Sequence, residues 1–362
     1  MKRKVALGVL SGVAAAVVAE AARPRGPGGT PIDWDEVSRL TVRHTAGDPA
    51  LTVREREAAG RDYDRMASEV SRPLFDFVGP LPAGVELPPF KALDRAGWIE
   101  LNLGILRRVV DPIVAANPMP SSLLLDLGRA GMDRYLALLL SFLSRRVLGQ
   151  FDPDLLGAEP LTADSTGLYL VETNVRRWQE KADLQPDELR RWLILHETTH
   201  AWQFLGHPWL REHMNAMIGE VLELAGQTNV DPVRRTVAMV KRMPGQMAIY
   251  RRLQATMTLV EGYSNLVMNV VGRQLLPDFA RLEEAYSARS SRRGVLEQLV
   301  WRVTGLGLKL RQYEVGERFC DEVYRSRGIE VLNLAWRSAE HLPLMAEFGD
   351  SERWYRRVSA LG

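Results

Sequence analysis

Apolar residues recur at helical spacing along most of the chain after residue 31, and Pro and Gly residues separate the periodic stretches. This spacing is typical of helices that pack one face against a core. The pattern predicts helices at 51–77, 91–116, 121–148, 186–205, 209–224, 231–243, 245–274, 278–289, 294–303, 307–326 and 338–348. The chain is therefore predicted to be mainly α-helical.

One stretch favours a strand instead. Residues 167–175 alternate imperfectly between apolar and polar side chains, include residues that favour strands, and lie between loop-like stretches. We expect a small β element there, before the predicted helix at 186–205. One hypothesis assigns the edge of this strand to an extended substrate backbone. The alternative is a strand with a structural role alone.

The first 31 residues differ in composition from the rest of the chain. Lys2, Arg3 and Lys4 precede an uncharged run at 5–19, and a Pro/Gly-rich stretch follows at 24–31. These are the parts of a secretory signal, although a run of fifteen residues is shorter than the roughly twenty that span a bilayer. Export or membrane tethering and an apolar first helix or tail are equally good interpretations, so the localisation is open.

The rest of the chain shows no sign of a division into separate domains. No internal repeat appears after residue 31, and no Pro/Gly/Ser-rich linker divides the sequence. Residues 32–362 are therefore predicted to form one large domain, or two closely packed helical lobes, behind the segment 1–31.

The amino-acid composition excludes several classes of function. The 47 basic and 45 acidic side chains leave a formal charge of +2, which provides no strong basic field to hold a nucleic acid. Cys320, the single cysteine, cannot form an intrachain disulfide, a four-cysteine zinc site or an iron–sulfur cluster. Four of the six histidines, however, fall close together in the sequence: His196, His200, His207 and His213.

The clustered histidines include a metal-site motif. Residues 196–200 read His-Glu-Thr-Thr-His, and on a helix the two imidazoles at i and i+4 lie on one face and can bind one ion. Glu197 is offset by about 100 degrees, which places it to accept a proton from a water on that ion. The apolar residues around the motif predict a buried helix, so the sequence predicts a zinc site with Glu197 as its base.

The third ligand is not adjacent in sequence. In an extended version of the motif a Gly and a third His would follow, but Gln203 and Gly206 occupy those positions and His207 comes one residue late. We therefore interpret His207 as a helix-end residue.

A carboxylate from another helix is the expected third ligand. Glu261 lies in the apolar stretch 257–265, where an acid would be costly unless it met a cation. Gly262 permits another backbone to approach closely, and Asn265 could accept a hydrogen bond from a ligand imidazole. Glu220 is the main competitor, because spacing in the sequence does not determine spatial contact.

Hydrolysis at a zinc site also needs a group that stabilises the developing oxyanion. Tyr313 is our candidate, because it shares a predicted helix face with Gly316, which allows that face to pack tightly. The alternative is a buried tyrosine whose hydroxyl is satisfied by a structural hydrogen bond.

Several segments together resemble one known family, the zincin-like metallopeptidases, a group of hydrolases associated with genomes that make the deazaflavin coenzyme. The similarity runs from about residue 32 to residue 358 and is far more specific than the five-residue motif. It rests on His196-Glu-Thr-Thr-His-Ala-Trp-Gln-Phe204, His207-Pro-Trp-Leu210, Asp33-Trp34, Trp98-Ile-Glu-Leu-Asn102, Val147-Leu-Gly-Gln150, Glu261-Gly-Tyr263 and Lys309-Leu-Arg-Gln-Tyr-Glu-Val-Gly316.

The resemblance implies a zincin-like helical domain in which His196, His200 and Glu261 bind one Zn²⁺ ion and Glu197 is the general base. We therefore expect a zinc metallohydrolase whose substrate is a peptide or another amide. Two alternatives stay open. One is a metal-stabilised binding or scaffold protein, in which Glu220 or His207 would be a fourth ligand. The other is a narrow amidase with a non-peptide substrate.

Overall fold

The computed structural model describes residues 32–115, 123–157, 166–226, 232–291 and 306–361, with side chains described outside 112–130, 221–244, 246 and 290–314. The helices are α1 (Trp34–Thr45), α2 (Val53–Val78), α3 (Arg95–Ala115), α4 (Leu123–Ser144), α5 (Glu172–Ala182), α6 (Pro186–Leu205), α7 (Pro208–Gly226), α8 (Pro232–Leu275), α9 (Phe279–Ser291), α10 (Leu306–Arg327), α11 (Ile329–Leu332) and α12 (Ser351–Ser359). The strands are β1 (Phe90–Leu93), β2 (Gly149–Asp152) and β3 (Gly167–Val171). The prediction of a mainly α fold with a small β element is confirmed.

Helix α6, which carries the histidine motif, has the predicted bounds because its end signals are local. Pro186 stands in its first turn with Asp187 and Glu188, where a missing N–H costs nothing and negative charge is favourable. At the other end, the Gly206 N–H donates to the Trp202 carbonyl oxygen at 2.9 Å. A Cβ atom at Gly206 would lie 2.6 Å from that oxygen, so the helix needs glycine at this position.

The three strands form one sheet in the order β1-β3-β2, with β1 parallel and β2 antiparallel to β3. The hypothesis that the edge of the strand predicted at 167–175 binds an extended substrate backbone is therefore wrong, since β3 has a strand on each side. Strands β1 and β2 were not predicted, because a strand of four residues carries too little periodicity to recognise and gains its stability from pairing.

The predicted strand is also too long. It ends at Val171, and the chain continues directly into α5. Glu172, the first residue of α5, is buried and accepts hydrogen bonds from Tyr63 and Arg190. Contacts with distant residues thus hold the chain in a helix from 172 onward, against a local sequence that favours a strand.

The sheet presents opposite faces to two helices. Phe151 packs against Phe204 of α6 with ring centroids 5.7 Å apart. Gln150, on the other face, accepts a hydrogen bond from the Trp98 indole of α3 at 2.8 Å. Because side chains alternate along a strand, Gly149 lies on the same face as Phe151 and faces α6.

Helix α8 differs from its prediction at one point. The sequence predicts a break between 243 and 245, but α8 continues from Pro232 to Leu275. The predicted break rested on Pro244. A proline removes one helical hydrogen bond and bends a helix, but it need not end the helix. Helix α2 likewise continues through Pro73.

Three further predictions remain to be compared with the structure: the helices at 338–348 and 294–303 and the segment 1–31. The predicted helix at 338–348 is wrong, since that range holds a short 3₁₀ turn at Ala339–His341 followed by turns. The predicted helix at 294–303 and the segment 1–31 lie outside the described residues. No helix in the described part combines the length and apolar composition that crossing a membrane requires.

Helices α8 and α10 cross with their backbones in contact. A Cβ atom at Gly262 would lie 2.5 Å from the Gly316 carbonyl oxygen, and one at Gly316 would lie 2.9 Å from Cγ2 of Thr258. These separations are shorter than side-chain atoms tolerate, so both positions require glycine. The close approach that the sequence suggested for Gly262 and Gly316 is therefore present, next to Glu261.

Candidate metal centre

Three buried side chains from two helices converge at one point. His196 and His200 of α6 and Glu261 of α8 offer ligand atoms that all lie within 4.8 Å of one another. The two Nε2 atoms are 3.2 Å apart, and the imidazole rings stand nearly perpendicular, at 87°. The structure thus brings together the three residues that the sequence proposed as metal ligands.

The chemistry of these groups fits a zinc ion. Two imidazole nitrogens and one carboxylate oxygen are donors that Zn²⁺ prefers at sites with an open coordination position. The Oε2 atom of Glu261 is buried and has no hydrogen-bond partner among the described residues. A carboxylate oxygen without a partner is costly inside a protein, and a cation bound between the three side chains would remove that cost.

A second set of polar groups contacts the Nδ1 side of the His200 ring, opposite the Nε2 atom that faces His196. The Nδ1 atom of His200 is 2.9 Å from Oε1 of Gln203 and 3.3 Å from Oγ of Ser264. The Gln203 amide nitrogen donates to the Val260 carbonyl oxygen at 2.9 Å. These contacts fix the far side of the His200 ring.

This role of Gln203 was not predicted from the sequence, which suggested Asn265 instead. In the structure Asn265 instead donates to Oε2 of Glu317 at 3.0 Å. The available signal was a polar residue three positions after His200 in an otherwise apolar stretch, since i and i+3 share a helix face.

Glu197 is 3% exposed and lies beneath the sheet. A Cβ atom at Gly149 would be 2.5 Å from Oε1 of Glu197 and 3.0 Å from its Cδ atom. The absence of a side chain at this position of β2 therefore makes room for the Glu197 carboxylate.

The competing ligands lie elsewhere. Glu220 is 42% exposed and forms an ion pair with Arg252. The Nδ1 atom of His207 is 3.0 Å from the Gln203 carbonyl oxygen, and its ring packs edge-on against Trp202. Burial lowers the pKa of His207. Neither residue belongs to the cluster.

The last two residues considered for a chemical role are Tyr313 and Cys320. Tyr313 lies on helix α10, one turn before Gly316, but its side chain is outside the described part of the structure. Cys320 is fully buried, and this burial raises the pKa of its thiol. A buried thiol with a raised pKa does not act as a nucleophile.

Known proteins share this sequence pattern and this fold. A family model described as zincin-like metallopeptidase matches residues 32–355. Among solved structures, a protein from Chloroflexus aurantiacus described as "a putative hydrolase with a novel fold" has 32% sequence identity to this chain and a TM-score of 0.70. That similarity covers 91% of this chain and 100% of the Chloroflexus chain. No curated protein matches this chain.

Proposed function

Because this chain belongs to the zincin-like metallopeptidase family, we propose that it is a zinc-dependent hydrolase that cleaves peptide bonds. The family and the Chloroflexus hydrolase both support a hydrolase in general. The peptide bond as the substrate, and the roles of the individual residues, are our proposal.

One observation carries the proposal: among the described residues, the buried cluster of two histidines and one glutamate offers three ligand groups rather than four. A structural zinc site is closed by four protein ligands, whereas a catalytic site keeps one position open for water or substrate. Glu220 and His207, which could have closed the site, contact other residues. This arrangement favours a catalytic ion over a structural one among the described residues.

In the proposed mechanism, His196, His200 and Glu261 hold the ion. When bound, zinc supplies a Lewis acid that polarises the substrate carbonyl and lowers the pKa of water. Glu197 accepts a proton from the attacking water at its carboxylate and delivers it to the leaving nitrogen. The burial of Glu197 keeps bulk water away from this proton transfer.

We further propose that Tyr313 donates a hydrogen bond to the developing oxyanion. Its position on α10 supports this role, because α10 contacts α8 at Gly316, one turn away, and Glu261 precedes the contacting Gly262. The substitution Tyr313→Phe should lower kcat by about 10²-fold or more, as expected on losing one oxyanion donor. An unchanged kcat, measured with a good peptide substrate, would return Tyr313 to a structural role.

The decisive experiment combines metal analysis with cleavage of a mixed peptide library. We expect purified protein to hold about one equivalent of zinc and to cleave peptides. Glu197→Gln should keep the zinc and lose at least about 10²-fold in kcat, because only the proton acceptor is removed. Glu220→Gln is the matched control and should retain activity.

Three outcomes would contradict parts of the proposal. Cleavage by Glu197→Gln at the wild-type rate would refute the base assignment. Zinc with no cleavage of any peptide would favour the scaffold protein or the narrow amidase. A protein that binds no zinc would refute the proposed function as a whole.

A further inference from the structure

We propose that Gln203 is a positioning residue that holds His200 in the tautomer required for metal binding and ties its ring to the helix that carries Glu261. This inference rests on the proposed function, because it concerns the same metal site. It assigns a role to a residue that neither contacts the ion nor belongs to the histidine motif.

The orientation of the Gln203 amide follows from its two partners. The Val260 carbonyl oxygen can only accept a hydrogen bond, and it lies 2.9 Å from the Gln203 nitrogen. The opposite amide orientation would place two acceptor oxygens at that distance. The Oε1 atom of Gln203 must therefore be the atom that faces Nδ1 of His200, at 2.9 Å.

This orientation of the amide determines which ring nitrogen of His200 carries the hydrogen. Because Oε1 is an acceptor, Nδ1 must carry the hydrogen and donate it, which leaves the lone pair of a neutral ring on Nε2. Nε2 is the atom that faces His196 in the cluster. The Ser264 hydroxyl donates to the Val260 carbonyl oxygen at 3.0 Å, so its oxygen is free to accept a longer bond from the same Nδ1–H. Both neighbours of Nδ1 thus favour one tautomer.

The same amide also links two helices. His200 and Gln203 belong to α6, whereas Val260 directly precedes Glu261 on α8. Gln203 is fully buried, so its two hydrogen bonds form away from competing water. One side chain therefore couples the ring orientation of the second histidine to the backbone position of the third ligand.

The test compares two variants on the same helix. Gln203→Met keeps the length of the side chain and removes both hydrogen bonds. Trp202→Phe is the matched control, because it removes one partly buried hydrogen bond from α6, to the Gly79 carbonyl oxygen, without touching His200. We expect Gln203→Met to bind zinc about 10- to 100-fold more weakly than wild type, as is usual on loss of a group behind a metal ligand. Trp202→Phe should bind zinc with wild-type affinity.

Two readouts separate positioning from loss of stability. The imidazole ¹⁵N shifts of the metal-free protein, labelled at histidine, report the tautomer directly, and wild-type His200 should carry its hydrogen on Nδ1. In Gln203→Met this preference should weaken. Gln203→Glu restores an acceptor for Nδ1–H but no donor for Val260, so it should recover most of the zinc affinity while its metal-free form stays less stable than wild type.

Wild-type zinc affinity together with an unchanged His200 tautomer in Gln203→Met would overturn the inference. Equal losses of affinity in Gln203→Met and Trp202→Phe would do so as well, because a general loosening of α6 would then suffice. Failure of the proposed function gives a different pattern, since wild type would then bind no zinc or cleave no peptide. The tautomer measurement on metal-free protein decides the role of Gln203 in either case.

Discussion

Helix α6 is buried on nearly every side, and yet roughly two of its turns contain His196, Glu197, His200 and Gln203. Polar groups in such surroundings are stable only when each has a partner. His200 and Gln203 satisfy each other, whereas Oε2 of Glu261 lacks a partner among the described residues. At the scale of single residues, the site is therefore a set of polar groups that a cation would complete.

A glycine in the sheet should matter for activity. Gly149→Ala would place a Cβ atom 2.5 Å from Oε1 of Glu197, so the carboxylate must rotate away from its position. We expect kcat to fall about 10-fold or more, since a misplaced catalytic group loses its geometry, while zinc content stays unchanged. Steady-state kinetics with metal analysis would check this result.

Gly104 provides the control for that experiment. It lies in α3 with nothing within 4 Å of an added Cβ atom. Gly104→Ala should leave kcat unchanged and raise the free energy of unfolding by about 0.5–1 kcal/mol, because alanine favours a helix interior more than glycine does. Equal activity in the two alanine variants would show that Gly149 does not make room for the base.

At the scale of elements, the crossing of α8 and α10 determines where Glu261 lies. Gly262→Ala would place a Cβ atom against the backbone of Gly316, and a backbone cannot give way as a side chain can. We expect the free energy of unfolding to fall by about 1–3 kcal/mol or more, as overpacking generally causes. Zinc affinity should also fall, because α8 must move.

Chemical denaturation and zinc titration would measure both effects. Gly219→Ala is the matched control, since nothing lies within 4 Å of an added Cβ atom on α7. A Gly262→Ala variant as stable as Gly219→Ala would contradict the close packing of α8 on α10.

The sequence predicted some elements far better than others. The range 186–205 was predicted with the observed bounds, because Pro186 and Gly206 mark the ends of α6 locally. Strand β2 was missed, because its four residues become a strand only through pairing with β3. Residues 172–175 were predicted as strand, but Glu172 begins a helix held by Tyr63 and Arg190 from distant parts of the chain.

At the scale of the whole molecule, zinc should contribute to stability. A ligand that binds only the folded state at 100 times its Kd adds about 2.7 kcal/mol to the free energy of unfolding. We expect a chelator to lower the Tm of the wild-type protein, and Glu261→Gln to remove most of this difference. Glu220→Gln should show the full difference, because Glu220 pairs with Arg252 outside the cluster.

Differential scanning calorimetry with and without chelator would measure these shifts. A chelator effect that is lost in Glu220→Gln and kept in Glu261→Gln would reverse the assignment of the third ligand. No chelator effect in the wild-type protein would mean that zinc does not bind the folded chain tightly.

Features that depend only on residues close together in the chain could be predicted from the sequence. These features are the mainly helical composition, the bounds of α6, and the two histidines with an adjacent glutamate on one helical turn, since positions i and i+4 are neighbours in any helix. Three other features became clear only in the tertiary structure. These are the glutamate that lies beside the two histidines, the residue that contacts Nδ1 of His200, and the space beside Gly149 that the Glu197 carboxylate occupies. Those contacts join α6 to α8 and to β2, and they depend on how closely backbones cross at Gly262 and pack at Gly149. Distances between segments far apart in the chain follow from packing, and local periodicity carries no information about them.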